Sequence, residues 1–256
     1  MRTVVLTRPQ PVHDGVSSFL SQRHVPLLSL PTLHVGLRIH PEFESHLQHN
    51  WNAYHGVMFV SQHAVQFAAQ RLQALNLNWR TELWAAAVGQ TTAVSVQRAW
   101  PHAQVICPAV NEMPDSERLW STLQSQTADW ASQRVLIVRA QNGRDAFLNW
   151  LRGAGATVDV WSCYQRENLS WSELQYHAFV SALHQTGVVL SITSQEGLNS
   201  LLNNLQHLNE RDKHTLLQQP VLTLHPSIAT HARKCGFVSV HVAPIAELGA
   251  HLAQLA

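Results

Sequence analysis

The chain spells out one strand-turn-helix pattern twice, and that repetition restricts its possible folds more than any other feature. The opening run TVVLTRP, which carries Arg8, returns half a chain later as RVLIVRA, which carries Arg139. The run GVMFV followed by Ser61 and Gln62 returns at almost the same offset as VVLSIT followed by Ser194 and Gln195, and both lead into helix-like stretches. A third unit, AAAVGQTTAVSVQ around Gly89, has its counterpart around His225. One such pair would mean little, since any α/β protein offers segments that align by accident. Three pairs in one order at nearly constant spacing point to an internal duplication. Two similar lobes imply a cleft, and clefts bind ligands.

Hydrophobic periodicity predicts strands and helices in alternation, the pattern of doubly wound α/β layers. Strands are expected at 3–8, 25–30, 56–60, 84–88, 104–107, 134–138, 157–164, 187–193, 220–224 and 237–242. Helices are expected at 13–23, 42–50, 63–75, 90–99, 116–127, 144–153, 172–185, 195–206, 210–217, 227–235 and 244–254. The stretch from Pro31 to Arg38 is extended, Pro-flanked and too short for a helix, and the stretch WSCYQRENLS near 161–170 follows neither period; both are expected as connectors.

Composition narrows the function classes. At 256 residues and 45% hydrophobic, the chain can bury a substantial core. Only 13% of residues are charged and the formal net charge is +1, so no global field draws it to nucleic acid or to an anionic membrane. Any anion must be recognised locally. No run of about 18 apolar residues occurs, and a strand pattern begins where a secretory leader would stand, which predicts a cytoplasmic protein. Cys107, Cys163 and Cys235 are odd in number and widely spaced, as expected of reduced, packed thiols. The 17 histidines do not form a metal pattern: His46 and His49 stand at i and i+3, not at the i and i+4 of a helical metal site.

The common catalytic motifs are missing. GAGATVDV contains G-x-G, but it follows a helix and precedes a strand, the reverse of a dinucleotide site, and reads as a helix stop. No GxxxxGK[ST], GxSxG or HExxH occurs. What remains is a set of loops at the C-terminal ends of strands, each opening a helix. They hold Arg8; Ser61, Gln62 and His63; Gly89 and Thr91; Arg139, Asn142 and Gly143; Ser194, Gln195 and Glu196; Pro226 and Ser227. In a parallel sheet such loops share one edge, where helix N-termini present N–H groups to anions. Each alone is an ordinary helix cap. Six together, with two arginines placed alike after strands, make carboxylate or phosphate cradles.

These residues resemble the uroporphyrinogen-III synthase family. The resemblance rests on VVLTRP, FVSQHAV, ITSQEGL, AVGQTTA, SERLW at 116–120 and, above all, VLIVRAQNGRDAFLNWLRGAGATVDVWSCYQR. It covers essentially the whole chain. The resemblance implies an α/β fold of two similar doubly wound parallel-sheet lobes joined by a two-stranded β-ladder, the first lobe discontinuous. Lobe 1 would span 1–36 and 168–256 and lobe 2 would span 40–162, with connecting strands at 31–39 and 163–170. It also implies a reaction: hydroxymethylbilane, a linear tetrapyrrole with eight carboxylates, loses its terminal hydroxyl and closes through a spiro intermediate with ring D inverted. No metal or organic cofactor is implied. Tyr164 matches the family's tyrosine at the connector, facing the cleft, where it could donate a proton to the departing hydroxyl. The loop residues above would hold the substrate.

The expected partners are the tetrapyrrole and, transiently, the preceding pathway enzyme, with no nucleic acid, no membrane and a monomeric state. Two departures from the family pattern bear on the cradles. His225-Pro226-Ser227-Ile228 replaces a Gly-x-Thr-like turn, and His63 stands where smaller residues are common. A two-lobed ligand-binding protein without catalysis is the competing expectation, although it does not account for the string from Arg139 to Tyr164.

Overall fold

The computed structural model of the chain describes residues 1–9, 15–108, 116–127, 129–142 and 145–256. Two compact units make up the fold: a discontinuous unit of Met1–His34 with Glu167–Ala256, and a central unit of Val35–Arg166.

In the discontinuous unit, β1 (Thr3–Leu6), β2 (Leu27–Ser29), β9 (Val188–Ile192), β10 (Val221–Thr223) and β11 (Val240–Val242) form a parallel sheet in the order β11-β10-β9-β1-β2. Alternate strand residues face opposite sides. Val5, Leu190 and Val221 pack with α7 (Glu173–Gln185), α8 (Gln195–Asn204), α9 (Glu210–Leu217) and α10 (Pro226–Lys234). Val4, Val189 and Leu222 pack with α1 (Gly15–Ser21) and α11 (Leu248–Leu255). Helices on both faces explain why these strands are largely apolar.

The central unit repeats the plan. Its sheet runs β3 (Leu33–Leu37), β8 (Thr157–Asn168), β7 (Arg134–Ala140), β4 (Gly56–Phe59), β5 (Trp84–Ala87), β6 (Gln104–Ile106). From β8 to β6 the pairing is parallel. Val57, Phe59, Leu136 and Val138 face α2 (Pro41–Asn50), α3 (Gln62–Ala74) and α4 (Gln90–Ala99), while Met58, Val135 and Ile137 face α5 (Ser116–Gln126) and α6 (Ala146–Gly153). Apart from the added edge strand β3, the order β8-β7-β4-β5-β6 matches β2-β1-β9-β10-β11 position by position. The strands ahead of Arg8 and through Arg139 therefore hold the same place, as do those ahead of Ser194 and Ser61, and ahead of His225 and Gly89. Gly56 has a structural reason to be glycine, since a Cβ there would meet the Trp84 indole at 2.1 Å.

Several boundaries differ from those read in the sequence. The stretches 31–38 and 161–170, within which the two unit boundaries fall, are strands: β3 spans Leu33–Leu37 and β8 continues to Asn168. The strand expected from residue 237 begins at Val240. Gly236 adopts φ +98°, and the N–H groups of Phe237 and Val238 bond to Ala232 and Leu217 instead of to a strand neighbour. The last helix opens with a 3₁₀ turn at Ile245–Glu247 before α11. The starts of the helices expected at 13 and 144 lie outside the described residues. Among those residues, no helix is long and apolar enough to cross a membrane. The three cysteines are free, and burial pushes the Cys163 thiol up to about 12.

At the opposite end of the central strands from the loops, Asp159 collects donors. Its Oδ2 accepts from Tyr54 at 2.7 Å and from Arg134 Nε and Nη2 at 3.0 and 2.9 Å. Burial opposes the charge on Asp159, yet the bonds from Tyr54 and Arg134 outweigh it and hold its pKa below the usual value; burial and the same bond raise that of Tyr54. A carboxylate depressed on folding stabilises fully above its unfolded pKa of about 3.9 and loses that contribution as the pH falls through the folded value. Asp159→Asn should therefore reduce the acid dependence of stability below about pH 4. Urea midpoints between pH 2.5 and pH 6 that fall equally in both proteins would assign the acid loss to other groups.

Candidate active site

The strand pairing brings the sequence-derived residues to one edge of each sheet. In the central unit, Ser61, Gln62 and His63 follow β4, Gly89 and Thr91 follow β5, and Arg139 and Asn142 lie at and after the end of β7. In the discontinuous unit, Arg8 follows β1, Ser194, Gln195 and Glu196 follow β9, and Pro226 and Ser227 follow β10. Gly143 lies outside the described residues.

Tyr164 is the residue that the family resemblance implies as facing the cleft. It is fully buried, and its ring lies 5.8 Å from Phe67 and 6.0 Å from His63. A bulge causes this placement. Ser162 stands opposite Arg139, but Tyr164 stands opposite Ala140, so the strand gains one residue and both Cys163 and Tyr164 turn into the same core. Bulges re-aim side chains in this way. The Tyr164 hydroxyl lies 2.8 Å from Ser61 Oγ. Ser61 is also the N-cap of α3, and its Oγ accepts the Ala64 N–H at 3.1 Å. A buried phenol must donate somewhere, and Ser61 Oγ is the acceptor in reach. With Tyr164 as the donor, both lone pairs of the half-buried Ser61 hydroxyl are engaged and its own proton is left for a further acceptor.

The other helix starts are built differently. Ser194 caps α8 by accepting the Gly197 N–H at 2.9 Å, and the buried hydroxyl nearby is that of Thr32, which donates to the Gly197 carbonyl at 3.1 Å. His225 caps α10: its Nδ1 accepts the Ser227 N–H at 3.1 Å and lies 2.8 Å from Ser227 Oγ. The departure noted in the sequence thus fills that helix start with its own imidazole. Gly89, by contrast, opens α4 with no side-chain cap bond. Of these four helix starts, α4 leaves its first turn most open to an anion.

Arg139 is held inward. Its side chain is 12% exposed and its Nη1 lies 2.7 Å from Asp145 Oδ1, while that carboxylate is 59% exposed. Asp145 precedes α6 yet makes no cap bond to it, so its charge serves Arg139. Sequence reasoning missed Asp145, although an acid shortly after an arginine across a helix start was a readable signal. It also missed Thr32 and Phe67, whose roles depend on the folded strand ends. Gln62 Nε2 donates to the Thr91 carbonyl at 3.2 Å, and Gln90 Nε2 to the Pro108 carbonyl at 2.7 Å. Gln195 Nε2 donates to the Ser227 carbonyl at 3.1 Å. Arg8 is half-buried, whereas Asn142, Glu196 and Pro226 are exposed. Among the described residues, no three His, Cys, Asp or Glu side chains group to hold a metal ion.

Comparison with known proteins bears on the family and the fold. The uroporphyrinogen-III synthase of Salmonella typhimurium is 28% identical over 263 residues, which span 99% of each chain. That of Escherichia coli is 27% identical over 202 residues, 77% of this chain and 76% of its own. Among solved structures, a mutant uroporphyrinogen III synthase from Thermus thermophilus superimposes with a TM-score of 0.63 at 13% identity, covering 99% of this chain and 97% of that one. Uroporphyrinogen-III synthetase from Helicobacter pylori gives 0.62 at 15% identity, covering 99% of each. At such identities the structures establish the shared fold. The model of the family described as uroporphyrinogen-III synthase HemD matches residues 23–253, and the chain belongs to that family.

Proposed function

We propose that this protein converts hydroxymethylbilane to uroporphyrinogen III, and that Tyr164 acts in the reaction through Ser61. Family membership supports the reaction, and the buried Tyr164 hydroxyl on Ser61 Oγ is the observation that supports the site. As the terminal hydroxyl leaves, Ser61 passes its proton to the departing oxygen and takes one from Tyr164, so that water is released; the pyrrole N–H proton of the same ring is given up through solvent and restores Tyr164, which leaves the neutral azafulvene. The resulting azafulvene is attacked by the substituted position of ring D to give the spiro intermediate, which fragments and recloses with ring D inverted. The azafulvene can also close unaided to the uninverted isomer. Holding the chain in the productive shape therefore matters more than proton transfer.

Substrate carboxylates would be held by the open start of α4 at Gly89 and Thr91, by Ser194 and Ser227, and by Arg8 and Arg139. Arg139→Ala should raise KM more than it lowers kcat, the mark of binding shared by ground and transition states. An unchanged KM would make the Arg139–Asp145 pair purely structural. On this reading the chain works as a cytoplasmic monomer that meets the preceding pathway enzyme only in passing. The deciding assay supplies fresh hydroxymethylbilane without added metal or nucleotide and identifies the uroporphyrin isomer after oxidation. Type III supports the proposal, whereas type I alone at the spontaneous rate overturns it in favour of a binding protein without catalysis.

A further inference from the structure

One side-chain contact occurs in both units at the same place. Gln62, the first residue of α3, donates its amide to the Thr91 carbonyl in the first turn of α4, and Gln195, the first residue of α8, donates to the Ser227 carbonyl in the first turn of α10. The two donors stand half a chain apart, as do the two acceptors, at the spacing of the duplication. The surroundings have diverged: His63-Ala64 answers to Glu196-Gly197, and Gly89-Gln90 to His225-Pro226. The amide contact persists although its neighbours changed and although both glutamines lie at the exposed surface.

Two helix N-termini side by side carry like partial charges, which favour splaying. A ligand carboxylate that draws on both needs their N–H groups at a fixed separation. We propose that Gln62 and Gln195 are positioning residues, each of which ties one helix start to its neighbour and sets that separation; the inference rests on the reading of these strand ends as carboxylate cradles. A neutral amide suits the task. Glutamate would repel the substrate, and lysine would bind its carboxylates in place of the backbone.

The test uses Gln62→Met and Gln195→Met, which keep side-chain length and remove the donor. With hydroxymethylbilane as substrate, each should raise KM by about fivefold, roughly the worth of one hydrogen bond, with kcat and the thermal midpoint unchanged. A KM equal to that of the parent in either variant overturns the proposal. Loss of activity that tracks a lowered thermal midpoint also overturns it, since the contact would then only stabilise the fold. Failure of the parent protein to form the type III isomer removes the cradle reading and this proposal with it, whereas normal turnover by the parent with unaltered variants removes the proposal alone.

Discussion

Glu44→Ala should destabilise the protein by about 3–5 kcal/mol, the cost of leaving a buried charge without its partner. Glu44 sits on α2 with its side chain 6% exposed, and Arg71 on α3 is 17% exposed. The pair is bidentate: Arg71 Nε meets Oε1 at 2.8 Å and Nη2 meets Oε2 at 2.6 Å. The bond from Glu44 raises the arginine's pKa, and even without it a guanidinium is too basic to shed its charge, so removing the acid leaves Arg71 charged. Glu44→Gln should cost less, because the amide oxygen still accepts one of the two bonds. Urea unfolding at low and high salt provides the check. A loss below about 1 kcal/mol that vanishes in salt would mean that the pair behaves as a surface ion pair.

Tyr164→Phe should lower kcat by about ten- to a hundredfold with little change in stability, since only the phenolic oxygen is lost while the ring stays packed on Phe67 and His63. Ser61 would keep its cap on α3 and could still offer a proton, but without a donor behind it. Ser61→Ala should lose as much activity and also unfold more readily, because it removes the cap and strands a buried hydroxyl. If Tyr164→Phe turns over at the parent rate and only Tyr164→Ala fails, the tyrosine is a packing residue. Catalysis would then rest on substrate shape and backbone N–H groups.

Much of this fold is legible before any coordinates. The three repeated segments fall on equivalent strands of two sheets, since each records the same demand: an apolar strand covered on both faces, followed by a turn into a helix. Loop residues such as Ser61, Ser194 and Gly89 are readable for the same reason, because small and polar residues at helix starts have a local cause. Side-chain partners are a different matter. The pairing of Arg139 with Asp145 and the reach of Gln62 to Thr91 depend on how neighbouring turns meet, which periodicity does not encode. The bulge at Ala140 is hidden for a related reason. Strict alternation through β8 would put Tyr164 on the face of Val158 and Val160, whereas the extra residue turns it into the core that holds Trp161 and Cys163.

The aromatic residues divide unevenly in a way that suits optical work. All but one of the nine tryptophans belong to the central unit, where Trp79 and Trp100 stack with centroids 4.5 Å apart. Trp171 alone belongs to the discontinuous unit, with its indole N–H on the Pro31 carbonyl at 3.1 Å and its ring 5.5 Å from Phe179. Intrinsic emission therefore reports on residues 35–166 almost exclusively. The difference between the parent spectrum and that of Trp171→Phe isolates a single fluorophore, through which the melting of each half can be followed separately.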